Sequence, residues 1–141
     1  MIDLNLDTIN WLTVLVGAVI YMFVGGVWYG PIAGKAWMSE MGLTEEDLKE
    51  GPSPAAAMGK SFIAAIVMSF GLAWLMSQSS FAELTIAGGA VLGAIVSLVL
   101  VGGATFPNYA FEDKSIKHFL IHMGNVTVAM ALIGAMMAVW R

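Results

Sequence analysis

His118 and His122 stand one helical turn apart near the end of the chain. Histidines at i and i+4 share a helix face and can bring two imidazoles to one metal ion. Glu112, Asp113 and Glu40 are the acids that could complete such a site. No His-Glu-x-x-His pattern accompanies the pair, and the chain has no cysteine. The competing reading has both rings at the headgroup level of a membrane, bonded to water or backbone, and the expectation is neither metal nor cofactor. A second set of polar residues falls inside apolar stretches: Lys60, His122, Asn125, Tyr29 and Asn108. Polar and ionisable groups within a span are costly and often mark a pathway, so these five are read as one polar cluster. Against this, Lys60 can snorkel to the interface along its own stem. Tyr21, Ser69, Ser97 and Thr127 are the polar groups nearest mid-span, and no Asp or Glu lies there. That excludes a carboxylate proton relay. With no nucleophile–base pair and no phosphate-binding glycine loop, the expected class is non-enzymatic.

The elements that must hold these residues follow from composition. The chain of 141 residues is 59% hydrophobic and 11% charged, whereas soluble domains are about half apolar and a quarter charged. Lipid is therefore the expected solvent. Spans of roughly 20 residues are predicted at about 9–29, 54–77, 84–105 and 116–140, forming one transmembrane domain over the whole chain. The fold expected is an all-α, integral membrane four-helix bundle of two hairpins that run the same way. Thr8 or Asp7 is the expected cap of span one, and Ser53 with Pro54 of span two. In the first connection, Ile32, Trp37 and Met41 share a face and predict a short interfacial helix. Thr44 with Asp47 predicts a capping box.

Lys35, Lys49, Lys60, Lys114 and Lys117 fall in or beside two connections, against Arg141 alone on the other side. The positive-inside rule then puts those connections in the cytoplasm and both termini outside. The N-terminus has Asp3 and Asp7 and no basic n-region, so span one is read as retained rather than cleaved. Trp11, Trp74 and Trp140 fall at one interface, Trp28 and Trp37 at the other. Few clustered Lys or Arg leave nothing for nucleic acid to bind; the expected partner is lipid.

"VGGVWYGP" at 24–31 and "VGGATFP" at 101–107 read as one phrase written twice. Each closes a span that runs toward the lysine-bearing side, as two parallel hairpin repeats would. Gly25, Gly26, Gly102 and Gly103 allow close backbone approach, and Pro31 and Pro107 are expected to end or kink their helices. Small residues also recur at every fourth position, as in Gly89, Gly93 and Ser97. Such strips pack helices closely, and their number implies a homo-oligomer or a small subunit of a membrane complex.

Asn10-Trp11, Gly26, Trp28-Tyr29, Pro31, "GKAWM" at 34–38, "MGLTEED" at 41–47, Asn108, Phe111-Glu112 and the closing "AVWR" carry a resemblance. The chain resembles an uncharacterised family of small bacterial membrane proteins, the domain-of-unknown-function family 1761. The resemblance implies four spans and no defined activity; Gly30 departs from the serine it leads one to expect between Tyr29 and Pro31. Two functions are consistent with the residues. One is a helix-packing or assembly module. The other is an oligomeric channel or transporter for an ion or small solute, lined by the inner polar cluster.

Overall fold

Asn10 opens the first long helix, in place of Thr8 or Asp7. Its side chain accepts from the Leu12 N–H at 3.1 Å, while Thr8 turns back to donate to the Asn5 carbonyl. The shift has a simple cause: residues Leu6–Thr8 form their own short 3-10 turn, so the next good capping side chain is Asn10. The computed structural model describes residue 2 and residues 4–140. Asp3 and Arg141, both used in the sequence reading, lie outside the described residues.

Seven α-helices follow among the described residues, with no strand. They are α1 (Trp11–Val27), α2 (Gly34–Met41), α3 (Glu45–Glu50), α4 (Pro54–Met76), α5 (Ile86–Ile95), α6 (Gly102–Phe111) and α7 (Ile116–Val139). A wide π-type turn, Trp28–Ile32, extends α1, and another, Val96–Val101, joins α5 to α6. Four continuous helices are thereby long and apolar enough to cross a membrane: Trp11–Ile32, Pro54–Met76, Ile86–Phe111 and Ile116–Val139. The protein is an all-α membrane bundle. The third crossing reaches six residues beyond the expected end at 105.

Neither proline ends its helix. Pro31 lies inside the first wide turn, where the Ala33 N–H reaches the Trp28 carbonyl at 2.7 Å, five residues back. Such a turn absorbs a position that lacks a donor. Pro107 lies inside α6. A proline ring presses on the carbonyl four residues back; that residue is Gly103, and the helix nonetheless continues to Phe111.

Capping accounts for the other boundaries. Ser53 caps α4 with Pro54 at the first helical position, Thr85 caps α5 and Ser115 caps α7. Thr44 and Asp47 form the reciprocal box that starts α3. Their bonds hold the Asp47 carboxyl below its ordinary pKa.

Span one packs on spans two and four, and span three packs chiefly on span four. The core is Val14, Leu72, Ala73, Met76, Val126, Met130, Ile133 and Met137. These residues lie in the half of the bundle near the chain termini. At the other end, residues 54–61 of α4 are all exposed, and burial begins in earnest at Ala65. Span two thus leaves the bundle toward its loop end. The duplicated phrase has matching geometry in one respect. A side chain at Gly25 would meet Asn125, one at Gly102 would meet Met123, and Gly26 and Gly103 both face open space. In each copy the first glycine faces span four.

Candidate functional site

Where span two departs, a cavity of about 420 Å³ opens between α1, α4 and α7. Tyr21, Met22, Gly25, Gly26 and Tyr29 line it from span one. Met58 and Ser61 come from span two, and His122 and Asn125 from span four. Three members of the polar cluster read from the sequence are therefore together: Tyr29, His122 and Asn125. The other two are elsewhere. Lys60 is exposed, and so is Asn108 on α6. A helix turns about 100° per residue, so Ser61 faces the cavity while its neighbour Lys60 does not.

Each polar side chain here has a local reason for its position. Trp28 donates its indole N–H to the Ile121 carbonyl at 2.9 Å and lays its ring against Gly124. That contact fixes the rotation of α1 against α7. Tyr29 then lies with its hydroxyl 3.4 Å from His122 Nδ1, and its ring meets Trp37 edge-on at 5.7 Å. His122 is also backed by the ring of Tyr109, stacked at 6.2 Å. His118 is buried against the edge of the same Tyr109 ring at 5.2 Å. The two histidines thus share an aromatic neighbour. Among the described residues no group of three or more His, Cys, Asp or Glu is arranged to hold a metal. Glu40, one of the acids considered for such a site, instead accepts from Ser115 and faces Lys117 Nζ at 3.5 Å. The Ser115 bond, aided by Lys117, holds the Glu40 carboxyl below its ordinary pKa. Ser115 Oγ also accepts from the His118 N–H at 3.0 Å. The first connection is therefore pinned to the start of span four, beneath the cavity.

Asn125 is the unusual member. It is 3% exposed, and its Oδ1 is fully buried with no hydrogen-bond partner among the described residues. Ser69 Oγ is likewise buried and unpaired, wedged between Gly17 and span four. The two cases differ physically. A serine in a helix has a backbone carbonyl one turn back as a recourse. An amide oxygen accepts and cannot donate, and the N–H groups of the surrounding helix are already used. Leaving such a group unpaired costs about 1–3 kcal/mol, which sets Asn125 apart among the polar residues that line the cavity.

The strip Gly89, Gly93 and Ser97 lies elsewhere and is closed within the chain. A side-chain carbon on Gly93 would stand 2.0 Å from the Met130 carbonyl oxygen, and one on Gly89 would stand 2.2 Å from that of Gly134. Gly134 reciprocates against the Gly89 carbonyl. One turn further, Ser97 and Thr127 share a hydrogen bond at 3.0 Å. This strip joins span three to span four, so its face is not free for a second copy.

The sequence profile of a family described as "Protein of unknown function (DUF1761)" matches residues 12–138. The chain belongs to the DUF1761 family. That match covers the four crossings apart from Trp11 and Val139, and every residue lining the cavity of this DUF1761 protein. Neither the curated proteins nor the solved structures contain a match to it. Met58 and Ser61 were missed as site residues by sequence reasoning. The available signal was their spacing of three in a helix, on a face that also carries no charge.

Proposed function

We propose that this is a non-enzymatic integral membrane protein that takes a small organic solute into the cavity between α1, α4 and α7, as the binding step of a transporter. The observation that carries the reading is the unpaired, buried Asn125 Oδ1 on the wall of a 420 Å³ space. Ligand sites are commonly concave, largely apolar and supplied with a few convergent polar groups, at volumes of about 300–1,000 Å³. The lining has that make-up, and it contains no carboxylate, lysine or arginine. A small ion would find no countercharge, so the channel reading for ions is less well supported than uptake of a neutral solute. Toward the termini the cavity gives way to the tight core of Val14, Ala18, Leu72, Val126 and Ile133. Carriage across the membrane then requires a second conformation.

The lysines of the two connections support a cytoplasmic loop end, in a bacterial inner membrane, with the mouth on the inner side. Assembly into a homo-oligomer is a proposal that must use faces other than the Gly89–Gly93 strip. The sequence has no cysteine, which permits a direct test with single cysteines. Ser61→Cys, in proteoliposomes, is expected to react with a small water-soluble thiol reagent, and Gly25→Leu in the same chain is expected to suppress the reaction by filling the space. Val67→Cys, on the exposed apolar face of α4, serves as the lipid-facing control. A Ser61→Cys protein as unreactive as that control contradicts the proposal.

A further inference from the structure

The chemistry of the wall narrows the occupant further, resting on the reading that the cavity is a solute site. Asn125 lines the cavity, and its Oδ1 has no hydrogen-bond partner among the described residues. An amide offers one acceptor and one donor side by side. The group that satisfies it both donates and accepts, as a hydroxyl or a carboxamide does. The group is taken to be neutral, because a buried charge without a partner is strongly disfavoured, and the lining holds no carboxylate, lysine or arginine to pair with it.

Beyond Ser61 and His122 the rest of the lining is largely apolar: Met22, Met58, the two glycines and the rings of Tyr21 and Tyr29. Met58 both lines the cavity and is 58% exposed on the outer surface of α4. It lies one turn into span two, within the exposed stretch 54–61 of α4. The mouth therefore opens between α1 and α4 at the depth of the adjoining lipid leaflet, and Met is a side chain that yields to fit an irregular guest.

We propose that the cavity binds a neutral single-chain amphiphile. Its hydroxyl or carboxamide head pairs with Asn125, and its alkyl tail leaves past Met58 between α1 and α4 into the lipid. Such a molecule can arrive from water, as a medium-chain alcohol, or from the bilayer, as a monoacylglycerol. The head-group chemistry is the same.

The test is photolabelling of the full chain in phosphatidylcholine nanodiscs with a diazirine analogue of 1-octanol, mapped by mass spectrometry. Adducts are expected on the segments carrying Tyr21–Tyr29 and His122. Excess 1-octanol or mono-olein should suppress them; the first alone points to a soluble alcohol and the second to a lipid, and either supports the proposal. Octanoate, octylammonium and octane should not compete. Asn125→Leu should lower labelling about tenfold by removing the hydrogen-bonding group, and Gly25→Leu, on a different helix, should do so by occupying the space. Competition by octane equal to that of octanol would mean an apolar hole and overturn the proposal. Absent labelling overturns it too, and the cysteine experiment then separates two cases. If Ser61→Cys still reacts, the solute site stands and the amphiphile does not; if Ser61→Cys is also inert, both readings fall.

Discussion

Glycine is used in opposite ways in two regions of this bundle. Between spans three and four, Gly89, Gly93 and Gly134 are replaced space: the partner helix's carbonyls occupy the volume a side chain would need. Between spans one, two and four, Gly25 and Gly26 are retained space. A side-chain carbon at Gly25 would meet Asn125 Oδ1 only at 4.0 Å, and one at Gly26 would meet nothing. Without a hydrophobic drive between helices in lipid, close packing and a few polar contacts hold spans together. The first region has both, in the glycine seam and the Ser97–Thr127 bond. In the second, close packing of α4 is confined to the terminal half, where Gly17 meets Ser69, and at the loop end a chamber remains. Small residues in a span thus permit close approach without dictating it; what stands opposite decides.

The comparison can be broken at the seam. Gly93→Ala is expected to destabilise the protein by about 3 kcal/mol or more, because the new methyl meets backbone atoms that cannot swing aside. Gly26→Ala should change stability by less than about 1 kcal/mol, as surface-like changes do. Equilibrium unfolding in mixed micelles measures both; equal losses would show that the two glycine sets are not different in kind. A smaller effect sharpens the cavity side. In ligand-free protein Asn125→Leu should be neutral or stabilising by about 1 kcal/mol, since an unpaired buried acceptor is removed. A loss of several kcal/mol would mean that Asn125 is a structural residue with a partner in the folded chain. Smaller again is the Ser97–Thr127 bond. A double-mutant cycle with Ser97→Ala and Thr127→Val is expected to give a coupling of about 0.6 kcal/mol.

The smallest effect concerns the connection that underlies the chamber. The folded state depresses the Asp47 carboxyl through its bonds to Thr44, and the Glu40 carboxyl through Ser115 and Lys117. A depressed carboxylate contributes above its unfolded pKa and ceases to contribute as pH falls through its lower folded value. Amide exchange in α3 and at the α2–α7 contact should therefore quicken, after correction for intrinsic rates, as pH drops below the ordinary carboxylate range. The four crossings should hold. Protection in α3 that ignores acidification would remove the capping box from the account.

Much of the fold was legible because lipid imposes simple demands. Long apolar stretches, Ser53-Pro54 and Thr44 with Asp47 each state a boundary through length or capping chemistry alone. The misreadings have local causes. Pro107 reads in sequence as an end or a kink, yet it lies inside a helix that runs on to Phe111. The site was half legible. Tyr29, His122 and Asn125 were identified by being polar within apolar stretches. Met58 and Ser61 were not, because nothing in their own types sets them apart from other helix residues. Lys60 was identified for its charge, but the charge is what turns it outward. That the Gly89–Gly93 strip binds span four rather than another copy depends on which helix lies opposite, and spacing within one helix carries no such information.

The most direct measurement is a side-chain-resolution map of the protein in lipid nanodiscs. It is expected to show α5 seated on α7 at Gly93, α4 parted from the bundle between Pro54 and Ala65, and non-protein density within hydrogen-bonding distance of Asn125. A map in which α4 closes onto α7, the chamber vanishes and Asn125 bonds a residue of its own chain would contradict the account.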